Sequence, residues 1–481
     1  MADTFDNFIG GVWTPARGGV TFGDENPASR GSNLGHFQAS TPEDIVSAID
    51  AAARAFASWR GTPLAKRQLV VGEFLRLLER SREDLARIVT LENGKTIRES
   101  RAEVDSALVE GAYHLNQVAV FAGGVGPGGG RPISTWVQYQ PVGVVGVISP
   151  WNFPMNVMCR KTLPALLTGN TVVFKPASFT PWSGVFMAKL FELAELPPGV
   201  FNCVTGAGSA VGNVLVQDSR VRAISFTGST AVGKRIQALA AANLTRTQLE
   251  LGGKNALIVM DDADLGEAVE AAATAGFSNA GQWCTSTSRL LLHRAIARPF
   301  LDQLVARCER MRVGDGLDET TDMGPVAGPQ QYADVSAAIE QARKDGASLI
   351  TGGVASGAGA DAGYFIRPTI FSGVRPGMAV FRDEIFGPEL AALEFATLDE
   401  AIAIANDSTY GLSSAMYTSS LAAARRYVEE IDAGLAHVNV HTGYKEPSMP
   451  FGGFKDSGAG LPENGRSGLE FFVDRKAVYL K

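Results

Sequence analysis

Two kinds of hydrophobic spacing divide this chain. Over residues 42–116 apolar side chains return every three to four positions, opening at Pro42-Glu43-Asp44 and resuming from Pro63 to 91 with leucines at helical spacing. That period predicts a run of amphipathic helices. A glycine cluster at 122–130 follows, then the strand-like Thr135-Trp136-Val137-Gln138-Tyr139, which reads as an exposed hairpin or arm.

From Val142 the texture changes to short, unbroken apolar runs at 142–148, 171–174, 201–204 and 223–226, with helix-like segments at 181–193 and 210–217 between them. Buried strands alternating with helices imply parallel βαβ units, with ligands at the carboxyl ends of the strands. A second α/β pattern begins after Glu250: strands at 256–260 and 289–293, helices at 265–277 and 299–313, and a glycine-rich loop at 352–363 read as a solvated excursion.

Composition narrows the class. The 481 residues, 45% of them hydrophobic, suffice for two or three domains with separate cores. A net charge of −7 without a basic block argues against nucleic acid as a partner. The N-terminus lacks the basic and apolar regions of a secretory signal, and no apolar run is long enough for a bilayer. Cys159, Cys203, Cys284 and Cys308 show neither close metal-ligand spacing nor a disulfide framework. The expectation is a cytoplasmic protein, with no membrane partner and no metal.

Several short motifs carry possible chemistry. Cys284 lies among small residues in Asn279-Ala280-Gly281-Gln282-Trp283-Cys284-Thr285, far downstream of the acid in Glu250-Leu251-Gly252-Gly253-Lys254. A nucleophile and a base could be united there by folding, although most free cysteines are simply small buried residues. Gly228-Ser229-Thr230-Ala231-Val232-Gly233-Lys234 fits most of a P-loop, but Arg235 stands where the magnesium-binding hydroxyl belongs. The motif then reads as a helix N-terminus able to take a cofactor phosphate, or as a tight turn. Gly206-Ala207-Gly208-Ser209-Ala210-Val211-Gly212 has the wrong spacing for a dinucleotide fingerprint and reads as a turn. His437 and His441, within a strand-like run, lack a third ligand and read as structural. Asn152, at the end of the strongest buried strand, is placed to donate to an oxyanion.

Taken together the chain resembles the aldehyde dehydrogenase superfamily. Pro150-Trp151-Asn152-Phe153-Pro154, Lys175-Pro176, Phe226-Thr227-Gly228-Ser229-Thr230, Glu250-Leu251-Gly252-Gly253-Lys254, Gly281-Gln282-Trp283-Cys284-Thr285, Glu384-Ile385-Phe386-Gly387-Pro388 and Pro450-Phe451-Gly452-Gly453 occur in family order across nearly the whole chain. The resemblance implies an α/β fold in three parts. These are a Rossmann-type cofactor domain (1–122 and 143–250), an α/β catalytic domain (251–456) and a small β oligomerisation arm (123–142 and 468–481) that builds a homodimer or homotetramer.

It also implies a set of roles. Cys284 attacks the aldehyde to form a thiohemiacetal and then a thioester, with Asn152 at the oxyanion, Glu250 activating the hydrolytic water, and Lys175 counted with them. The cofactor, NADP or NAD, would meet Ser149, Trp151, Lys175, Ser178, Gly228, Ser229, Gly233, Leu251, Glu384 and Phe386. Ser178 replaces the glutamate usual in NAD-selective relatives, so NADP should be accepted. Phe153, Asn156, Arg160, Trp283, Thr285 and Phe451 would line the substrate channel, with Arg160 where semialdehyde dehydrogenases hold the distal carboxylate. Glu250 favours hydrolysis over transfer to coenzyme A, and Glu463 stands near the position of a proton-relay acid. The substrate implied is a semialdehyde of the α-ketoglutaric or succinic type. The alternatives are an aromatic or broad-specificity aldehyde dehydrogenase, a P-loop enzyme (against which Arg235 speaks), or a silent binding protein on the same fold.

Overall fold

The helical N-terminal stretch forms four helices, Pro42–Gly61, Leu64–Arg80, Arg82–Asn93 and Ile97–Gln117, broken where the sequence supplies stops. Pro63 sits just before the second helix, and Gly94 closes the third in the left-handed region at φ 94°. Thr96 and Glu99 then form a capping box that restarts the chain. This computed structural model describes residues 3–130, 132–355 and 362–481. Among the described residues no helix is long and apolar enough to cross a membrane.

The helices pack on an eight-stranded sheet. Its core is parallel, in the order Arg246–Glu250, Val221–Thr227, Val144–Ile148, Thr171–Lys175, Phe201–Cys203, with antiparallel strands Gly458–Ala459 and Asn7–Ile9 beside its two ends and Val12–Thr14 outermost. From Val144–Ile148 the chain proceeds to one side through Thr171–Lys175 and Phe201–Cys203. It then returns to the other side as Val221–Thr227. A crevice therefore opens at the carboxyl ends of Val144–Ile148 and Val221–Thr227, where an open parallel sheet holds its ligands.

A second, seven-stranded sheet runs Ser348–Val354, Ile366–Ser372, Glu389–Phe395, Thr287–His293, Asn255–Val259, Ser413–Tyr417, Leu435–Val438, parallel throughout except for its first pair. It faces the first with the loops before its strands: Cys284 precedes Thr287, Glu384 precedes Glu389, and Gly252 and Gly253 precede Asn255. A third sheet pairs Val473–Leu480 with Ser134–Pro141 and the latter with Val125–Gly126.

Several expectations needed adjustment. The helix expected at 299–313 runs Ala297–Glu309. The segment 210–217 begins with a widened turn, Gly208–Gly212, before the helix Asn213–Gln217. The strand through His437 ends at Val438, because Asn439 takes φ +53°. In the glycine-rich loop, 352–354 belong to the strand Ser348–Val354, and 356–361 lie outside the described residues.

Candidate active site

Three consecutive left-handed residues shape the approach to the thiol: Asn279, Ala280 and Gly281, at φ 51°, 53° and 70°. Left-handed backbone at two non-glycine residues costs energy and needs surrounding bonds to hold it. At Gly281 a side chain would strike the Gly387 carbonyl at 1.9 Å. Asn279 Nδ2 donates to the carbonyls of Asn152 (3.2 Å) and Gln282 (3.1 Å), while the Gln282 amide oxygen accepts from Ala327 N at 2.8 Å. Beyond the turn, Asn255 Nδ2 donates to the carbonyls of Cys284 and Ser286, both at 2.8 Å, and Thr442 Oγ1 donates to the Thr285 carbonyl at 2.7 Å. The thiol loop is thereby pinned by loops from both sheets and by Thr442.

Asn152 is buried, and its Nδ2 donates to the Gln282 carbonyl at 3.1 Å. An amide nitrogen carries two donors, so one N–H remains for a ligand. Behind it the buried pair Lys95–Glu103 (2.7 Å) fixes the turn. Lys95 Nζ also donates to the Asn152 carbonyl at 2.6 Å, and Glu103 accepts Met155 N and Asn156 N at the start of the helix Pro154–Leu167.

Glu250, at the end of its strand, is 2% exposed and its Oε1 has no hydrogen-bond partner among the described residues. Burial, reinforced by Glu463, pushes its pKa well above 4.5 against the pull of Lys161 and Arg160. Cys284 is also held up, first by burial and then by Glu250, with Arg160 opposing. The resting thiol is therefore protonated and needs a base before it can attack.

Asn152 and Cys284 open into a cleft of about 890 Å³ whose walls include Ser149, Trp151, Lys175, Ser178, Gly228, Ser229, Leu251, Glu384 and Phe386. Gly233 lies beneath it and packs on Leu251, where a Cβ would come within 2.3 Å of a leucine methyl. Ser229 caps the helix Thr230–Ala240 without a side-chain cap bond. Ser149 Oγ is buried without a partner. An open helix end, a spare hydroxyl and a long groove at the sheet switch point suit a dinucleotide. Lys175 is buried, its pKa lowered to about 8 by desolvation, and Nζ donates to the Pro176 carbonyl at 2.8 Å. Ser178 Oγ donates to the Gly206 carbonyl at 3.1 Å. Glu384 accepts Gly253 N at 2.8 Å, and burial raises it to about 7. It fits only because residue 252 is glycine, where a Cβ would lie 2.1 Å from a Glu384 oxygen.

The P-loop-like segment resolves differently from its motif. Lys234 pairs outward with Asp456 at 2.7 Å, while Arg235 turns into the cleft. Gly208, Ser209 and Gly212, read as a mere turn, also line the cleft. His437 rests between the carbonyls of Ser414 (3.1 Å) and Tyr444 (3.0 Å), and His441 lies 6.3 Å from the Trp283 ring.

On the far side of the thiol, Phe153 and Trp283 lie 5.7 Å apart between ring centroids. Thr285 is 1% exposed, with its hydroxyl unpartnered among the described residues. Arg160 departs from its expected role as a free anchor. Its guanidinium grips Glu110 through Nε (2.9 Å) and Nη2 (3.1 Å), donates to Asn156 Oδ1 (2.7 Å) and Glu463 (3.4 Å), and lies 4.6 Å over the Phe451 ring. Glu463 in turn bonds Lys161, within electrostatic reach of Glu250. Lys95, Glu103, Glu110, Asn255, Asn279 and Lys445 were not singled out from sequence. Only their buried charge or amide character, invisible without the fold, marks them.

The architecture and site define an enzyme in which a long cleft suited to a dinucleotide runs up to a cysteine thiol. More particularly, the sequence matches the aldehyde dehydrogenase family over residues 13–478, and the chain belongs to that family. It is 38% identical over 480 residues to the alpha-ketoglutaric semialdehyde dehydrogenase of Bacillus subtilis (strain 168), covering 100% of this chain and 98% of that one. A crystal structure of an NAD-dependent aldehyde dehydrogenase from Sinorhizobium meliloti superposes with a TM-score of 0.97 at 34% identity (99% of this chain, 95% of the other). That of an NADP-dependent E. coli enzyme gives 0.96 at 35% (99% and 98%). The protein is an aldehyde-oxidising, nicotinamide-dependent enzyme.

Proposed function

We propose that this protein oxidises a semialdehyde to the carboxylic acid by way of a thioester on Cys284. The observation that carries this reading is the buried acid Glu250, whose Oε1 lacks a hydrogen-bond partner among the described residues and which lies within electrostatic reach of Cys284 in the cleft. Glu250, once ionised, takes the thiol proton and the sulfur bonds to the aldehyde carbon. The oxyanion accepts from Asn152 Nδ2 and the Cys284 N–H. A nicotinamide cofactor would be held by the cleft residues named above and would supply the hydride acceptor needed to oxidise the sulfur-bound carbon to the thioester level. Glu250 then removes a proton from water attacking the thioester carbonyl, and the C–S bond breaks to free the acid. Glu463 and Lys161, beside Glu250, form a route by which the thiol proton leaves before water attacks and the water proton leaves after it.

The semialdehyde assignment is supported by the name of the Bacillus subtilis relative and by the cationic cluster around Arg160. For the cofactor, Lys175 and Arg235 along one cleft offer cationic groups to a 2′-phosphate, and Ser178, whose hydroxyl is bonded to the Gly206 carbonyl, brings no charge to repel it. We therefore assign use of NADP as well as NAD. The arm assembles a homodimer or homotetramer through its exposed Tyr479 and Leu480, which light scattering would test. Residues 1–122 and 143–250 form the cofactor domain, 251–456 the catalytic domain, and the protein works in the cytoplasm.

The test is a panel of semialdehydes and aromatic aldehydes with each cofactor, followed by reduced nicotinamide absorbance. Cys284→Ala should abolish the signal, and turnover near the wild-type rate would refute the mechanism. Ser178→Glu should weaken NADP use about tenfold or more relative to NAD, and an unchanged ratio would refute the phosphate assignment.

A further inference from the structure

The helix Pro154–Leu167 sets Asn156 and Arg160 four residues apart on one face, against Ser106 and Glu110 of the helix Ile97–Gln117. Arg160 is enclosed there, with four donor contacts to protein oxygens and a ring beneath it. Its guanidinium is spent on holding the site together.

Lys445 is different. It reaches the same Glu110 from the loop after the strand Leu435–Val438, and its Nζ also donates to Asn156 Oδ1 at 2.8 Å. An ammonium has three donors, so one lacks a protein partner among the described residues. The side chain stays 25% exposed, whereas those of Arg160 and Lys161 are 4% and 0%. Charge balance points the same way. Among the described residues Arg160, Lys161 and Lys445 are ion-paired with two carboxylates, Glu110 and Glu463, so these three cations outnumber their paired acids by one. Glu250, biased by burial toward its neutral form, does not supply the missing negative charge.

The loop carrying Lys445 is also fastened to the thiol. Thr442 bonds the Thr285 carbonyl, and Gly443 lies so close under Trp283 that a Cβ would come within 2.4 Å of the indole. Arg160 and Lys445 both act electrostatically on the Cys284 sulfur. An accessible cation with a spare donor thus stands at a fixed place relative to the nucleophile.

We infer that Lys445, not Arg160, binds the distal carboxylate of the substrate and so selects semialdehydes over neutral aldehydes. Arg160 and Asn156 are positioning residues that orient the ammonium, Arg160 through Glu110 and Asn156 by accepting from it directly. This inference rests on the semialdehyde reading above.

The test uses the full-length enzyme with succinic semialdehyde and butanal, which share a four-carbon chain and differ in the terminal carboxylate. Wild type should prefer the semialdehyde. In Lys445→Met the ratio of kcat/KM values for the two substrates should fall about 10- to 100-fold, mainly through KM for the semialdehyde. Lys445→Arg should restore most of it. Lys445→Gln, which keeps a polar partner for Glu110, should behave like the methionine variant and guards against misfolding. A ratio preserved in Lys445→Met and Lys445→Gln, or equal losses on both substrates, would overturn the role of Lys445 while leaving the semialdehyde reading intact. A wild-type enzyme without preference would overturn both.

Discussion

Glu110 and Glu250 are both about 2% exposed, both stand beside Arg160, and their carboxyl groups are driven in opposite directions. Burial favours the neutral acid at each. At Glu110 it is outweighed by Arg160 and Lys445, whose charges and hydrogen bonds hold the carboxyl far below 4.5. At Glu250 no hydrogen bond reaches Oε1, Glu463 repels, and the carboxyl rises well above 4.5. Depth of burial therefore does not distinguish a structural acid from a chemical one; the count of partners does. The paired acid is held as the carboxylate, and the deprived one is biased toward its neutral form.

The largest effect that would sharpen this contrast is on turnover. Glu250→Gln should lower kcat about 10²- to 10⁴-fold, while denaturant stability moves by no more than about 1 kcal/mol, since no hydrogen bond at Oε1 is lost. Turnover near the wild-type rate would break the comparison. Glu110→Gln should show the opposite emphasis. It leaves buried Arg160 short of its counter-charge and should cost about 3–5 kcal/mol in chemical denaturation. Unchanged stability would mean that Glu463 and Asn156 suffice to hold the guanidinium.

The smallest effect is in the pH dependence of stability, where the two acids contribute with opposite sign. Glu110 has a folded pKa below its unfolded value of about 4.5, so its stabilisation is present above that pH and is lost as pH falls. Glu250 has a folded pKa above 4.5, so the folded state holds the extra proton and stability declines as pH rises past 4.5 toward the folded value. Unfolding free energies measured across pH should show Glu110→Gln flattening the acid limb and Glu250→Gln flattening the decline at higher pH. Identical slopes in both variants would refute the assignment.

Much of the scaffold was legible because its signals are local. Pro63, Gly94 and Thr96 interrupt the helical stretch where helices stop and start, and the helix Leu265–Phe277 matches its hydrophobic period. Apolar runs marked Val144–Ile148, Thr171–Lys175, Phe201–Cys203 and Val221–Thr227 in the first sheet and Asn255–Val259 and Thr287–His293 in the second, while strands such as Arg246–Glu250 and Ser413–Tyr417 went unread. Errors fell where backbone conformation overrode pattern: Asn439, left-handed, ended a strand that valines would have continued. Cys284 and Asn152 were visible because each sits in a run of unusual composition. Asn255 lies just outside such a run, and Asn279, though it opens the run around Cys284, shows its part in holding the thiol loop only through its bonds to the Asn152 and Gln282 carbonyls.

The sequence by itself determined the order of most helices and strands, the family, and which thiol, amide and acid to propose for the site, since periodicity and contiguous motifs survive without a fold. The tertiary structure alone decided which charges are spent and which are left over. Lys445 meets Glu110 across 335 positions and Arg160 meets Glu463 across 303. Ion pairing depends on distances of a few ångströms in a medium that screens poorly, and no spacing along the chain encodes them.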